Sequence, residues 1–311
     1  MLFFPEEFFQ EEEKCGHMIP AKMKHIWAEE LEMLVEVDRI CRKYDIKYFV
    51  YYGTLLGAVR HQGFIPWDDD VDLCMTREDN NRFFEVVKKE KPSWVVFQSK
   101  IGELRQSIHS SVMSSNEIRV DKEYLDMHHG CPYIVGFDVF PFDVIPEEEG
   151  EFEAIKVIYG ILYRTHLDFE NCVESGEIDD NIKYIEDFCN CKIDKNGDIK
   201  LQIWDLLSIL PTIYNETGGK KRQFYPDYVT DDLKDKNWAI SSEYFENIKY
   251  VDFENIKVPI PVKYEEILTK LYGENYMIPI KSEGHPFFKI QEDNIKKNSY
   301  IRDNFPFKLD V

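Results

Sequence analysis

Gly53-Thr54-Leu55-Leu56-Gly57 and, after a short basic and aromatic link, Trp67-Asp68-Asp69-Asp70-Val71-Asp72-Leu73 decide how this chain reads. A small-residue bend that can hold phosphate oxygens precedes a strand with acids at alternate positions, the pair of devices needed to handle a magnesium-bound nucleotide. Ahead of the bend, residues 46–52 are rich in β-branched and aromatic residues and predict a strand. Thr54 then stands where it can cap a short helix running to Arg60, with residues 61–66 as a loop. From Asp70 to Met75 the polarity alternates: Val71, Leu73 and Met75 share one face, Asp70, Asp72 and Cys74 the other. One face is core and the other is chemistry.

Two residues along a strand advance about 6.6 Å and return side chains to the same face, so Asp70 and Asp72 can lean onto one cation. At an effective dielectric of about 20, two negative charges about 6 Å apart repel by about 3 kcal/mol, which a divalent ion would remove. A third oxygen ligand must come from elsewhere, and Asp138, a lone carboxylate inside Tyr133-Ile134-Val135-Gly136-Phe137-Asp138-Val139-Phe140, is the candidate. The bland alternative is a solvated acidic turn, against which stand the flanking Phe64-Ile65-Pro66-Trp67 and Val71, Leu73 and Met75. A calcium loop starting at Asp68 fails, because its sixth position is Leu73 rather than glycine and its twelfth is Asp79 rather than glutamate. Arg60 can grip a phosphate or pair with Asp68 or Asp69, and Trp67 can be core or a stacking platform beside the acids. His61, His109, His128 and His129 have no supporting constellation, and no Ser-His-Asp or Cys-His arrangement stands out.

Further out, residues 24–44 carry apolar side chains at helical spacing, 77–89 form an amphipathic helix, and 94–98 and 133–140 read as strands. Helices are expected over 151–170, 181–189 and 263–272, the last stopped by Gly273; a hairpin over 250–261; an Asn-Gly turn within 194–198; and a loop or exposed helix over 218–236. With no repeat or linker, the economical organisation is one catalytic α+β domain over 23–290 with helical additions, an N-terminal arm 1–22 and a tail 291–311.

The 311 residues, 43% hydrophobic and 14% aromatic, suffice to bury a core without disulfides. A formal charge of -21 repels polyanions, which excludes nucleic acid as an expected partner and makes a metal the natural mediator for an anionic nucleotide. Seven scattered cysteines fit a reducing, cytoplasmic setting; Cys189 and Cys191 with His128, His129 and Cys131 match no common zinc spacing. No basic leader is read at the N-terminus and no apolar run approaches a membrane span.

The run from Tyr51 through Gly53-Thr54, Arg60-His61-Gln62-Gly63-Phe64-Ile65-Pro66-Trp67 and Asp68-Asp69-Asp70-Val71-Asp72 resembles the signature of the LicD family of phosphotransferases. The similarity extends to Asp38-Arg39-Ile40-Cys41, to Phe137-Asp138-Val139-Phe140-Pro141-Phe142-Asp143, and to Leu271-Tyr272-Gly273 with Lys281 and His285-Pro286. It implies a nucleotidyltransferase-like mixed sheet flanked by helices, with Gly53 and Thr54 at the phosphates and Asp70, Asp72 and Asp138 on magnesium, manganese being an alternative ion. Arg60, Lys281 and His285 are the implied donor phosphate contacts, with Trp67 and Asp68 beside them. The family includes bacterial enzymes that attach phosphocholine to surface glycans or teichoic acids, and it is similar to fukutin and fukutin-related protein, which transfer ribitol phosphate. The resemblance therefore implies a CDP-alcohol donor, a glycan hydroxyl as acceptor, including lipopolysaccharide or teichoic-acid precursors, and release of CMP. Two other readings stay open: a nucleotidyltransferase releasing pyrophosphate, and a noncatalytic glycan- or nucleotide-binding protein. One departure is Asn80-Asn81, where family members more usually carry an aromatic residue.

Overall fold

A computed structural model describes residues 1–98, 102–103, 108–228, 238–281 and 287–309. A small hairpin, β1 (Glu12–Lys14) and β2 (His17–Ile19), leads into the long helix α1 (Ala21–Lys43), whose Ile26, Trp27, Leu31, Leu34, Val37 and Ile40 are buried. Then come β3 (Tyr48–Val50), α2 (Tyr52–Arg60), β4 (Val71–Thr76), α3 (Arg77–Glu90), β5 (Val95–Phe97), β6 (Ser110–Met113), α4 (Lys122–Met127) and β7 (Gly136–Val144). The second half runs through α5 (Glu149–Leu167), α6 (Phe169–Ser175), α7 (Glu177–Cys189), α8 (Ile199–Ile209), β8 (Lys221–Gln223) and β9 (Ile240–Ser241). It ends with β10 (Ile248–Phe253), β11 (Ile256–Pro261), α9 (Tyr264–Tyr272), α10 (Phe287–Lys297) and α11 (Ser299–Asp303).

The main sheet has the order β3-β4-β7-β6-β5, with β8 on the end of β7 and β9 beyond it. It is mixed, as an α+β architecture of this kind requires: β4 and β7 pair in parallel while β3–β4, β6–β7 and β5–β6 are antiparallel. Parallel strands read as continuous apolar runs because both faces are covered, and β4 is buried from Val71 to Met75. Cys74, expected on the chemical face, is therefore core, and of the residues inside β4 only Asp72 reaches the cleft described below.

Several expected boundaries shift for local reasons. The bend at Gly53 is the first turn of α2, whose N-cap is Tyr51, and Thr54 does not cap it. Gly57 is a packing glycine: a Cβ there would lie 2.5 Å from the Gly63 carbonyl oxygen, so helix and loop 61–66 touch backbone to backbone. The strand expected at 133–140 begins at Gly136 and runs to Val144. The charged stretch 218–236 yields β8 and a short turn of helix over Tyr225–Tyr228, and residues 229–237 lie outside the described part. The hairpin β10–β11 and the helix ended by Gly273, at φ +82°, form as expected. Strand β6 and helices α4 and α8 were not anticipated. Asn80 is buried in α3, and Asn81 accepts a hydrogen bond from Gln98 (3.1 Å). The Asn-Gly segment does turn, through Gly197 N–H to the Asp194 carbonyl (3.0 Å), but it joins helices.

Helices α5 to α8 enclose a second core around Tyr159, Leu162, Ile185 and Trp204. A buried polar cluster ties the segment just after α8 to the sheet. Arg77 at the start of α3 binds Asp143 of β7 through Nε (2.9 Å) and an Nη (2.6 Å), and Asn215 donates to the same carboxylate (2.7 Å) while accepting from Val144 N–H (2.8 Å). Burial opposes the Arg77 charge, and Asp143 holds its pKa above the ordinary value. Removing one member leaves a charge stranded in the interior. Arg77→Ala should lower unfolding stability by roughly 3–5 kcal/mol in urea titration, whereas Lys122→Ala, which breaks the exposed Lys122–Asp126 pair, should cost at most ~1 kcal/mol.

Candidate active site

The parallel register of β4 and β7 sets Asp72 directly beside Asp138. Two backbone contacts fix Asp72. Its N–H donates to the Thr54 hydroxyl (2.8 Å), and its carboxylate accepts from the Gly53 N–H at the start of α2. Thr54 is thus buried and turned to the strand, so it positions Asp72 and does not line the cleft. Gly53 does line it, and a Cβ there would stand 2.4 Å from Asp68 Oδ2. Tyr52, at φ +37°, holds a left-handed conformation rare for an aromatic residue, and its ring packs on Tyr51 (4.3 Å between centroids) and Phe140 (5.1 Å). Local strain of this kind is sustained by the surrounding packing.

Asp68, Asp70, Asp72 and Asp138 face one open cleft of about 620 Å³. Asp68 is pushed up to about 8, first by burial and then by Asp70 and Asp69, and its carboxyl shares a hydrogen bond with Asp70. Burial, followed by the charges of Asp70, Asp138 and Asp68, drives Asp72 well above the usual carboxylate range. A donor set made of crowded carboxylate oxygens fits a hard divalent cation, which would relieve this repulsion. Asp70, Asp72 and Asp138 are the residues that could hold it.

Arg60 is on the cleft wall, and it pairs with neither Asp68 nor Asp69. Its Nε donates to His61 Nε2 (2.9 Å) and an Nη to the Tyr276 carbonyl (2.9 Å). Burial, helped by Arg60 and Lys14, lowers His61 to about 4, so this imidazole is neutral and accepts. Trp67 is half-buried on the same wall with His17 at its edge. Lys281 is exposed and near enough to His17 for its charge, after burial, to lower that imidazole's pKa. His285 lies outside the described residues.

Several residues at or beside the cleft were missed. His109 Nε2 is 3.1 Å from Asp138 Oδ2, a pairing created by β6 folding against β7. Tyr272, Asn275 and Tyr276 close the far side of the cleft from the end of α9. Their only signal was polar and aromatic residues clustered just past a helix-stopping glycine. His128 and His129 bind Glu29 (2.7 Å) and Glu32 (3.1 Å) on α1. Among the described residues, the acids whose ligand oxygens already lie within 4.8 Å of one another are Asp68, Asp69 and Asp70; Asp72 and Asp138 border the same cleft as Asp70 but are not drawn together with it at that spacing, and no cysteine joins a group.

Comparison with known proteins agrees with this geometry. The family described as LicD/FKTN/FKRP, nucleotidyltransferase domain, matches residues 45–152, which contain all three carboxylates. The lipopolysaccharide cholinephosphotransferase LicD of Haemophilus influenzae is 26% identical over 269 residues, covering 82% of this chain and 92% of that protein. Uncharacterised proteins of Rickettsia typhi and Rickettsia prowazekii are 42% and 48% identical over 60 and 48 residues, or 19% and 15% of this chain and 19% and 18% of theirs. The sheet and its carboxylates define a nucleotidyltransferase-type domain. Residues 45–152 carry a domain of the LicD family.

The raised acids set a pH dependence. A carboxyl whose folded pKa exceeds its unfolded value favours the fold while protonated, so its contribution is complete below about 4 and is lost as pH climbs through about 8. In chelator, the melting temperature of Asp68→Asn should exceed that of wild type by a margin that widens from pH 5 to pH 9. A constant margin would contradict the assigned cause.

Proposed function

We propose that this chain is a phosphotransferase that moves a phospho-alcohol group from a CDP-activated donor to a hydroxyl of a cell-surface glycan, releasing CMP. The observation that carries the reading is the alignment of Asp72 with Asp138 on neighbouring strands, facing a cleft that Asp70 also lines. The Haemophilus relative is named a lipopolysaccharide cholinephosphotransferase, which supports the transfer of a substituted phosphate to a glycan.

In this mechanism the acceptor oxygen forms a bond to phosphorus as the bond to CMP breaks, and CMP departs with the electron pair. A magnesium ion bound by Asp70, Asp72 and Asp138 would supply neutralisation of charge on the phosphoryl oxygens. Asp138 accepts the proton of the attacking hydroxyl, and His109 holds its Oδ2 so that the carboxylate is oriented. Arg60 offers its charge to the donor phosphates; no described carboxylate neutralises it, and His61 keeps the guanidinium plane fixed. Tyr52, Trp67 and Tyr272 provide apolar walls for the nucleotide.

The test is CMP release from CDP-choline, CDP-ethanolamine, CDP-glycerol and CDP-ribitol with magnesium and a glycan acceptor. At least one donor should yield CMP, excess chelator should abolish it, and Asp72→Asn should lower turnover by about 10²–10³-fold or more. His109→Gln, which loses only orientation, should cost about tenfold. Pyrophosphate released from CTP and a phospho-alcohol, with no CMP from any donor, would favour the nucleotidyltransferase alternative.

A further inference from the structure

The N-terminal segment, expected as an arm outside the catalytic domain, folds onto the wall of the cleft. Strands β1 and β2 join through Cys15 and Gly16, both at positive φ (+54° and +71°), the two-residue turn whose twist suits a hairpin. The register pairs Lys14 with His17, Glu13 with Met18 and Glu12 with Ile19. Residues directly opposite share a face, so Glu12, Lys14, His17 and Ile19 lie on one side of the hairpin and Glu13 and Met18 on the other. Ile19 is buried, Glu12 pairs with Lys24 of α1, and Met18 is 55% exposed, which makes the first side the inner one. The hairpin is thus anchored with Lys14 and His17 turned inward.

The His17 ring lies edge-on to Trp67 (6.1 Å between centroids), and Trp67 has His61 at its edge as well (6.5 Å). Trp67 and Arg60 line the cleft, and Arg60 donates to His61. After burial, the charges of Arg60 and Lys14 lower the His61 pKa, and that of Lys281 lowers His17. A positive field therefore surrounds Trp67 in a chain of formal charge -21, beside a cleft whose acids are Asp68, Asp70, Asp72 and Asp138. Lys14 has no ion-pair partner among the described residues, because Glu12, the acid that feels its charge, is held by Lys24. A smaller recess of about 320 Å³ that also borders Asp70 and Asp138 holds Glu30 of α1, Phe137, Phe288 and the Met113 thioether, and no cationic side chain lines it. The wall at Trp67 is where a diphosphate finds compensating charge from the protein.

We propose that the N-terminal hairpin is part of the active site, where Lys14 supplies charge and His17 a hydrogen bond to the diphosphate of a nucleotide donor, together with Arg60. The inference rests on the phosphotransferase reading for the identity of that donor and goes beyond it in giving the hairpin a role. A lysine ammonium is a point charge on a flexible stem and suits a phosphate group. Met18, on the outer face of the same hairpin, serves as its control.

Calorimetric titration of the full chain with CDP at constant magnesium, in about 0.02 M and about 1 M salt, tests it. At low salt Lys14→Gln should weaken CDP about tenfold, and His17→Phe, which keeps a ring against Trp67, about threefold. Lys14→Arg, which keeps the charge, should stay within about twofold of wild type, and at high salt the Lys14→Gln deficit should fall to about threefold or less. Met18→Ala should bind CDP as wild type does. Unchanged low-salt affinity in Lys14→Gln, or no CDP binding by wild type, overturns the proposal. So does a loss that Lys14→Arg or Met18→Ala shares or that high salt leaves in place, since Lys14 would then act through structure and not through charge. The two readings fail separately: unchanged CDP affinity in Lys14→Gln alongside CMP release by wild type overturns this inference and leaves phosphotransfer standing, whereas CMP from no donor removes the activity whatever the titration shows.

Discussion

The parallel pairing of β4 with β7 forces Asp72 and Asp138 into adjacent positions on neighbouring strands, which lie about 4.8 Å apart in any sheet. Backbone hydrogen bonds fix that spacing, so the two side chains leave the sheet from neighbouring positions. The fold carries the cost of that crowding, expressed in the upward displacement of Asp72 and Asp68, which a divalent cation would relieve. Nearby features can be understood as holding this pair in place. Gly53 and Thr54 each bond Asp72, and Trp27 of α1 donates from its indole to the Asp68 carbonyl (3.1 Å).

The signature glycines therefore act differently from phosphate-cradling glycines in a flexible loop. Gly53 makes room for the Asp68 carboxylate and lends its N–H to Asp72, while Gly57 lets loop 61–66 lie against α2. Both roles are structural prerequisites for the acids. The helical addition has its own core, which also takes in Ile108, Ile145, Tyr225 and Ala239 from outside the helices, and Asn215 just past α8 joins the buried Arg77–Asp143 pair.

The acid positions thus divide space into two compartments of different character. One holds the Arg60 guanidinium and aromatic walls; the other holds a buried carboxyl beside rings and a thioether. Among the described residues, no helix is long and apolar enough to cross a membrane.

Much of the architecture was legible locally. Alternation at Asp70, Val71, Asp72 and Leu73 marked the acidic strand β4, helical spacing α1 and α3, and Gly273 the end of α9, because each depends on near neighbours in the chain. The role of Thr54 was misread because a hydroxyl at a helix start looks like a cap until the strand it bonds is in place. His109 and Glu30 carried no local signal; one gains its partner from β6 meeting β7, and the other becomes buried only when α1 covers the acids. The sequence by itself determined the elements and the identity of the acids, since periodicity and side-chain chemistry are local. Only the tertiary structure decided which carboxylates share a cleft and which groups orient them, because those pairings are made across strands and helices far apart in the chain.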